Sequence, residues 1–338
     1  MPAFAVLGAT SWGVTLAALL ARAHASVTLL ARDEAEAAAV SALRGIARLP
    51  EIALPPSVAV VPAAAAPQSL DGLVIAVPAQ ALRASVGDLP LSRSIPILSA
   101  AKGLELRSGM RMSEVLLALG WAPALIAAVS GPNLAHEIAR GLPAATVVAS
   151  PSERQAAAWQ QALSSGAFRA YRTTDITGVE LGGALKNVIA VAAGAAAGLG
   201  LGANAVAAIM TRGLAEMTRL GVALGADPAT FLGLAGVGDL AATCYSPLSR
   251  NRRLGELVAT GRTAEAALAE IGEAVEGAST APVALELARR VAVELPIGEQ
   301  VAAVLAGQTG IEAAITFLLS RALKSESSPP GADAKLGE

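Results

Sequence analysis

The first half of the chain alternates short apolar runs with longer helical stretches. Continuous apolar runs of this length are typical of strands buried on both faces of a parallel sheet. The predicted strands are residues 4–8, 26–30, 58–61, 73–77, 95–99, 125–130, 145–150 and 168–171. We therefore predict an α/β domain over residues 1–175, with a doubly wound, mostly parallel sheet covered by helices.

The second half of the chain has no strand pattern. Helical sequence rich in alanine, leucine and glycine continues to about residue 322. Helix breaks are expected in the glycine loop 198–204, near Asp227-Pro228 and near Ser246-Pro247. This pattern predicts an all-helical domain over residues 176–322. Residues 323–338 lack apolar periodicity and are predicted to form a disordered tail.

Composition limits the classes of partner. The 338 residues suit two domains, and a formal net charge of −2 gives no electrostatic case for binding nucleic acid or an anionic membrane. The single cysteine, Cys244, cannot form an intramolecular disulfide, which fits a reducing compartment. No basic segment of a signal peptide precedes the first strand, so we expect a cytoplasmic protein.

One uncharged stretch, residues 188–210, has a composition that could be mistaken for a membrane span. It contains Gly194 and Gly198 at the spacing used by transmembrane dimers. However, its apolar content is mostly alanine and glycine, which drive insertion weakly, and its glycine loop should break a helix. A buried helix, a loop and a second helix explain it better, and we expect no stable membrane insertion.

The first predicted strand ends in the turn GATSWG, residues 8–13. A dinucleotide-binding turn reads G-x-G-x-x-G, and here Thr10 replaces the middle glycine. Gly8 permits a tight turn, Gly13 lets the helix pack on the strand, and the N–H groups at the helix start, near Trp12, face the pyrophosphate. Thr10 and Ser11 are also expected to contact the cofactor, Ser11 through its hydroxyl, with the phosphates slightly further out than in the usual turn. The turn alone fits a structural strand–helix connection about as well as a cofactor site in a Rossmann domain.

The end of the second strand bears on cofactor choice. A site specific for NAD usually has an acidic residue there to hold the ribose 2′-hydroxyl, whereas an arginine accommodates the 2′-phosphate of NADP. This chain has Arg32 followed by Asp33. A solvated surface arginine is the alternative. Together with the turn, Arg32 predicts that NADP(H) is preferred and that NAD(H) is possible.

Five further motifs, taken with the GATSWG turn, resemble the bacterial NAD(P)-dependent glycerol-3-phosphate dehydrogenases. They are SAAKGLE (99–105), SGPNLAHEIARGLPAA (130–145), GGALKNVIAVAAG (182–194), GLAGVGDLAATCYSPLSRNRRLG (233–255) and AVEGAST (274–280). The resemblance covers residues 4–322. It implies interconversion of sn-glycerol 3-phosphate and dihydroxyacetone phosphate for phospholipid synthesis. It also implies a homodimer, and a Rossmann domain followed by a helical domain similar to that of 6-phosphogluconate dehydrogenase.

Lys186 is the candidate acid/base group. Oxidation of an alcohol requires a group that accepts the hydroxyl proton, and the chain has only His24 and His136 as histidines. Lys186 is expected near the start of a helix, among small and apolar residues. Desolvation and nearby cations can lower the pKa of a lysine toward neutrality. A lysine that snorkels at a helix end is the alternative. The resemblance independently implies that Lys186 is the proton acceptor.

Residues after the fifth and sixth strands lie at the carboxyl edge of the sheet, where ligands bind. The resemblance implies that Lys102 contacts both substrate and cofactor, that Gly131 and Asn133 contact the substrate, and that Ala135 makes a backbone contact to the cofactor. The family often has serine or threonine at the position of Asn133, whose amide can still hydrogen-bond a substrate. We expect His136 to lie on a helix surface without a catalytic role.

The cationic run Ser249-Arg250-Asn251-Arg252-Arg253 would normally indicate a solvated face. A phosphorylated substrate nevertheless needs several donors, and arginine suits bidentate phosphate contacts. The resemblance implies that Ser249, Arg250 and Asn251 bind the substrate and that Arg250 also touches the cofactor. Arg252 and Arg253 are expected to be structural.

Four more site residues are implied by the resemblance. Asp239 is expected to contact the substrate and to orient Lys186, as a catalytic residue together with Lys102. The resemblance places Asn187 on the substrate, and Ala274 and Glu276 on the cofactor. No metal site is expected.

Two other functions remain open from the sequence. One is a related two-domain enzyme that oxidises a carboxylate-bearing 3-hydroxy acid, which matches the cationic run less well. The other is an NADP-binding redox sensor without turnover. A sensor has no need of an acid/base lysine beside the nicotinamide, so Lys186, Lys102 and Asp239 argue against it.

Overall fold

The computed structural model describes residues 2–23 and 26–322. The first part of the chain forms one eight-stranded sheet. Its strands are β1 (Ala3–Leu7), β2 (Ser26–Ala31), β3 (Val58–Pro62), β4 (Gly72–Ile75), β5 (Ile97–Ser99), β6 (Ile126–Ser130), β7 (Ala144–Ala149) and β8 (Phe168–Thr173). Every strand predicted from the apolar runs is present.

The sheet has the strand order β3-β2-β1-β4-β5-β6-β7-β8 and is parallel except where β7 pairs antiparallel with β6. Its helices are α1 (Ser11–Ala23), α2 (Glu34–Leu43), α3 (Ala79–Gly87), α4 (Met112–Ala118), α5 (Ala135–Ala139) and α6 (Glu153–Leu163). The chain direction across the sheet reverses between β1 and β4, which is where doubly wound sheets bind ligands. The predicted α/β architecture is confirmed.

Helices make up the rest of the described chain. They are α7 (Ile176–Gly198), α8 (Gly202–Ala223), α9 (Pro228–Phe231), α10 (Asp239–Tyr245), α11 (Arg250–Ala259), α12 (Ala264–Ile271), α13 (Glu276–Arg290), α14 (Pro296–Leu305) and α15 (Ile311–Leu319). The expected breaks occur after Gly198, before Pro228 and after Tyr245. The predicted disordered tail, 323–338, lies outside the described residues, and the boundary at residue 175 stays a prediction.

The long apolar helix α7 is the centre of the helical region and packs against α8, α11 and α13. It is long and apolar enough to cross a membrane, but 78% of its most apolar window is buried inside the protein. Gly194 and Gly198 serve this packing. A Cβ at Gly194 would clash with the Arg252 carbonyl of α11, and one at Gly198 would lie 2.9 Å from the Ala259 Cβ. The glycine spacing therefore brings two helices of one chain together.

Candidate active site

The GATSWG turn needs both of its glycines. Gly8 has φ +110°, and a Cβ there would lie 2.9 Å from the Val77 Cγ1 and 3.1 Å from the Ala76 carbonyl. A Cβ at Gly13 would clash with the Gly8 carbonyl oxygen. The start of α1 can therefore approach the ends of β1 and β4 only because these two side chains are absent.

Thr10 acts within the turn. Its hydroxyl donates to the Ala76 carbonyl at 2.7 Å and accepts from the Gly13 N–H at 3.0 Å. Thr10 was expected to contact the cofactor, but the hydrogen bonds of its hydroxyl are made inside the fold. It satisfies one of the four N–H groups that a helix start leaves unpaired, so those of Ser11 and Trp12 remain for an anion. The turn fits a dinucleotide pyrophosphate with threonine in place of glycine.

Arg32 lies where the sequence predicts, directly after β2. Its side chain is 78% exposed and is 3.2 Å from Glu36 and 3.4 Å from Asp33. The Asp33 carboxylate accepts from the Glu36 N–H at 2.8 Å and so caps α2. The acidic group that could hold a ribose hydroxyl is therefore committed to the helix, while the arginine faces solvent. This arrangement favours a 2′-phosphate.

A second arginine near the turn escaped the sequence analysis. Arg48, in the loop after α2, donates to the Ala9 carbonyl at 2.8 Å. It adds positive charge beside the phosphate-binding turn. A lone arginine in a loop belongs to no motif, so the sequence carries no signal for it.

The three predicted catalytic residues meet in a buried cluster, here called the lysine cluster. Lys102 Nζ lies 2.6 Å from Asp239 Oδ2, and Lys186 Nζ lies 2.5 Å from Asp239 Oδ1. Lys102 comes from the loop after β5, Lys186 from α7, and Asp239 from the first turn of α10. One carboxylate therefore bridges two ammonium groups from distant parts of the chain.

Further hydrogen bonds fix the lysine cluster. Lys186 donates to the Thr243 hydroxyl at 2.6 Å, which in turn donates to the Asp239 carbonyl at 2.6 Å. Lys102 donates to the Gly131 carbonyl at 2.8 Å, and the Ser130 hydroxyl lies 3.3 Å from Asp239 Oδ2. Sequence reasoning missed Thr243, although its place one turn after Asp239 on the same helix face was a usable signal.

Burial sets the electrostatics of the lysine cluster. It lowers the pKa of Lys186 to about 8, helped by the charge of Lys102 and opposed by Asp239. Burial would raise the pKa of Asp239, but the two ammonium groups outweigh that effect and hold this pKa below its usual value. Lys186 can therefore exchange a proton near neutral pH while Asp239 stays ionised.

The position of Lys186 corrects a prediction. It was expected near a helix start, but it is the eleventh residue of α7, which begins at Ile176. The preceding Gly182 and Gly183 do not break the helix. A Cβ at Gly182 would lie 2.5 Å from the Ala235 carbonyl, and one at Gly183 would lie 2.5 Å from the Ser130 hydroxyl. The two glycines thus let the middle of α7 reach the edge of the sheet.

Two predicted substrate contacts are joined to each other. Asn251 Nδ2 donates to Asn187 Oδ1 at 2.9 Å, and Asn251 Oδ1 accepts from the Gly277 N–H at 2.8 Å. Asn187 Nδ2 also donates to the Gly183 carbonyl at 3.2 Å. The asparagines therefore connect α7, α11 and the start of α13.

The cationic run begins at the start of α11. The Ser249 side chain caps this helix by accepting from the Arg252 N–H at 3.2 Å. Arg250 is 46% exposed and pairs with Glu273 at 3.4 Å. Arg252 pairs with Glu256 at 2.7 Å and Arg253 with Glu270 at 3.6 Å, which agrees with structural roles for these two arginines.

Glu276 and Ala274 lie at the beginning of α13. The Glu276 carboxylate accepts from the Ala79 N–H at 3.1 Å and so reaches the start of α3 in the sheet region. A Cβ at Gly103 would lie 2.9 Å from the same carboxylate. Ala274 is exposed just before the helix. Glu276 thus links the helical region to the edge of the sheet next to Lys102.

The loop after β6 contains the remaining predicted residues. Gly131 has φ +148°, and Asn133 Nδ2 donates to the Thr146 hydroxyl at 2.9 Å. Asn133 Oδ1 is buried and has no partner among the described residues, so it could accept from a ligand. Ala135 begins α5, and His136 pairs with Glu51 at 3.0 Å. His136 therefore lies apart from the lysine cluster, as expected.

Comparison with known proteins shows which family the chain resembles over most of its length. Models of the NAD-dependent glycerol-3-phosphate dehydrogenase N-terminus and C-terminus match residues 3–156 and 175–316. The glycerol-3-phosphate dehydrogenase (NAD(P)+) of Halorhodospira halophila is 48% identical over 325 residues, which cover 95% of this chain and 98% of the relative. That of Streptomyces coelicolor is 47% identical over 327 residues, covering 95% and 97%.

A solved structure extends this similarity to three dimensions. The crystal structure of glycerol-3-phosphate dehydrogenase from Coxiella burnetii has a TM-score of 0.88 and 34% identity, covering 95% of this chain and 99% of that chain. The resemblance stated from the motifs is confirmed by both kinds of similarity. The chain belongs to the NAD-dependent glycerol-3-phosphate dehydrogenase family.

Proposed function

We propose that the protein reduces dihydroxyacetone phosphate to sn-glycerol 3-phosphate with NAD(P)H, reversibly, and so supplies glycerophospholipid synthesis. The lysine cluster carries this proposal. Lys102 and Lys186 are the only lysines in the described part of the chain, and both contact Asp239. The other long cationic side chains there are arginines, which cannot lose a proton near neutral pH. No finding favours a 3-hydroxy acid dehydrogenase or a redox sensor.

Proton transfer is assigned to Lys186. The bound nicotinamide supplies the hydride for the carbonyl carbon. The Lys186 ammonium donates a proton to the carbonyl oxygen, and in the reverse direction its neutral amine accepts the hydroxyl proton. Asp239 and the Thr243 hydroxyl each take one N–H of Lys186, which directs the remaining one toward the substrate. Lys102 polarises the same oxygen with its positive charge.

Substrate binding is assigned to groups around the lysine cluster. The exposed Arg250 guanidinium offers the phosphate two parallel donors, which a serine or asparagine cannot. Ser249, Asn251 and Asn187 complete this end of the site. Their hydrogen bonds within the protein use part of their donor and acceptor capacity, and the rest is available to the substrate. Gly131 and the Asn133 Oδ1 atom are assigned to the glycerol hydroxyls.

Cofactor binding is assigned to the turn and its neighbours. The pyrophosphate lies at the N–H groups of Ser11 and Trp12, with Gly8 and Gly13 making room and Thr10 supporting the turn. Arg32 meets the 2′-phosphate of NADP, which is the preferred cofactor. Lys102, Ala135, Arg250, Ala274 and Glu276 are the remaining proposed contacts to the cofactor.

Localisation and assembly are also proposals. A cytoplasmic location is supported by the single cysteine, Cys244, which has no second cysteine with which to form a disulfide. A homodimer rests on the family resemblance alone. Light scattering after size-exclusion chromatography tests it, and a single species of 33.6 kDa would contradict it.

One assay separates the candidate functions. We expect NADPH and NADH to be oxidised when the purified full chain is given dihydroxyacetone phosphate, and glycerol 3-phosphate to be the product. Faster turnover of a 3-hydroxy acid would make the protein a related dehydrogenase. Tight dinucleotide binding without turnover of either substrate would identify a sensor.

A further inference from the structure

A second group of buried charges lies where the sheet region meets the helical region. Glu180 of α7 is only 8% exposed. Its carboxylate accepts from the Ser113 N–H at 2.7 Å, from the Ser113 hydroxyl at 2.5 Å and from the Arg111 guanidinium at 3.0 Å. Ser113 lies in the first turn of α4, and Arg111 is the residue before that helix. These bonds fasten the helix that carries Lys186 to the start of α4.

The loop between β5 and α4 connects the hydrogen bonds between Glu180, Arg111 and Ser113 to Lys102. Lys102 is near the beginning of the loop and Arg111 is at its end. Within the loop, Leu104 pairs with Arg111 in a short antiparallel bridge. Arg83 of α3 holds the Glu105 carboxylate with two bonds of 2.7 and 2.8 Å. Because the loop is braced in this way, a shift at Arg111 is carried to Lys102.

We propose that Glu180 is a positioning residue, which sets how α7 lies against the Lys102 loop and so fixes Lys186 relative to Lys102. The proposal rests on the function proposed for these lysines. At 1.5 Å per residue, Glu180 and Lys186 are about 9 Å apart along α7. Between them, a Cβ at Gly183 would lie 2.5 Å from the Ser130 hydroxyl and 3.5 Å from the Lys102 Cγ. Because there is no room even for a Cβ at Gly183, α7 lies in close contact with Ser130 and Lys102. A small movement of α7 therefore displaces the lysine cluster.

Stability alone does not account for a carboxylate at this position. Burial raises the pKa of Glu180, and Arg111 and Ser113 only partly oppose that rise. Keeping the group ionised therefore costs free energy. A well-packed apolar pair can often replace a buried ion pair without loss of stability. Three directional hydrogen bonds instead give α7 one register on α4, which apolar contacts would specify less sharply.

The main test is Glu180→Ala, assayed as the pH dependence of turnover. Lys186 faces Asp239 and Cys244 of α10 and Lys102 of the loop. The charge of Lys102 lowers the pKa of Lys186, whereas Asp239, on the helix α10 that packs against α7, raises it. A shift of α7 away from the Lys102 loop therefore raises the pKa of Lys186. Reduction needs the protonated amine, and the alkaline limb of its pH profile should therefore move to higher pH. We expect turnover to fall about ten- to hundredfold, as for a displacement of about 1 Å, with NADPH affinity unchanged.

Two variants serve as controls. Glu180→Gln keeps the shape and an acceptor oxygen and should restore turnover to within about fivefold of the starting protein. Glu216→Gln changes the matched carboxylate of α8, which is also buried and accepts from the Ile297 and Gly298 N–H groups at 2.8 and 3.2 Å. It should leave the pH profile unchanged. An equal effect of Glu216→Gln would overturn the proposal, as would an alkaline limb that stays in place or moves to lower pH in Glu180→Ala.

A second measurement needs neither cofactor nor turnover. The whole chain has four lysines, Lys102, Lys186, Lys324 and Lys335, so NMR of ε-¹³C-labelled lysine can follow each side chain. The titration of Lys186 should shift to higher pH in Glu180→Ala, and an unshifted titration contradicts the proposal. If that variant does not fold, Ser113→Ala decides, with a smaller shift in the same direction. Failure of the starting protein to reduce dihydroxyacetone phosphate would disprove the proposed function but leave this titration interpretable.

Discussion

The cofactor turn and the lysine cluster are built in opposite ways. The turn occupies residues 8–13, and its shape depends on two missing side chains and one hydroxyl. The lysine cluster joins Lys102, Lys186 and Asp239, whose sequence separations reach 137 residues, through short contacts between buried charges. A turn made mainly of backbone can absorb a polar substitution. In a buried charge cluster, loss of one member leaves the others uncompensated.

The largest expected effect is the loss of Lys186. Lys186→Ala should lower turnover about a hundred- to ten-thousandfold, the usual contribution of a general acid/base. NADPH should still bind, because the cofactor turn lies on other elements. Stopped-flow turnover and fluorescence titration with NADPH measure the two quantities. Near-native turnover would show that another residue transfers the proton. The lysine cluster would then tolerate a substitution as well as the turn does.

The phosphate contact should give the next largest effect. Arg250→Ala should raise KM for dihydroxyacetone phosphate about ten- to hundredfold, as expected for loss of charge-assisted hydrogen bonds. Turnover should fall as well, because phosphate binding energy helps to position the reacting carbon. Unphosphorylated dihydroxyacetone should be affected much less. The matched control is Arg253→Ala, which breaks only the pair with Glu270. Equal losses on both substrates would assign Arg250 to the cofactor or the fold.

The pKa of Lys186 predicts opposite pH dependences for the two directions. Burial lowers this pKa to about 8. Reduction needs the ammonium, so its turnover should fall about tenfold per pH unit above that value. Oxidation of glycerol 3-phosphate needs the neutral amine and should fall in the same way below it. Turnover at saturating substrate between pH 6 and 10, in both directions, checks the signs. If turnover fell on the same side of the pH range in both directions, Lys186 would not be the group that transfers the proton.

A smaller effect is expected at the cofactor. Arg32→Ala should raise KM for NADPH about tenfold and leave that for NADH nearly unchanged, because only the 2′-phosphate needs the guanidinium. Arg48→Ala is a useful companion, since Arg48 contacts the Ala9 carbonyl of the turn and should affect both cofactors alike. If Arg32→Ala weakened both cofactors equally, Arg32 would not meet the 2′-phosphate.

The same contrast explains what the sequence could predict. The eight strands and the turn are local patterns, and the structure contains all of them. The antiparallel direction of β7 was not predictable, because a strand's composition does not encode its direction. Lys186 was expected near a helix start, yet Gly182 and Gly183 before it lie inside α7, where they pack against Ala235 and Ser130. Thr243 was missed although its spacing from Asp239 was a usable signal, whereas Arg48 was missed because only folding brings it to the Ala9 carbonyl.

The smallest effect is expected at Thr10, where glycine stands in the usual fingerprint. Thr10→Gly removes the bonds to the Ala76 carbonyl and the Gly13 N–H. At a helix N-cap, glycine costs only a few tenths of a kcal/mol relative to threonine. We therefore expect NADPH affinity to stay within a few-fold of that of the starting protein and the Tm to fall only slightly. Thr10→Val keeps the β-branch without the hydroxyl, leaves the Ala76 contact unmade, and should cost about 1 kcal/mol of stability. A large gain in NADPH affinity from Thr10→Gly would mean that Thr10 obstructs the pyrophosphate, and the turn would then be no more tolerant of substitution than the lysine cluster.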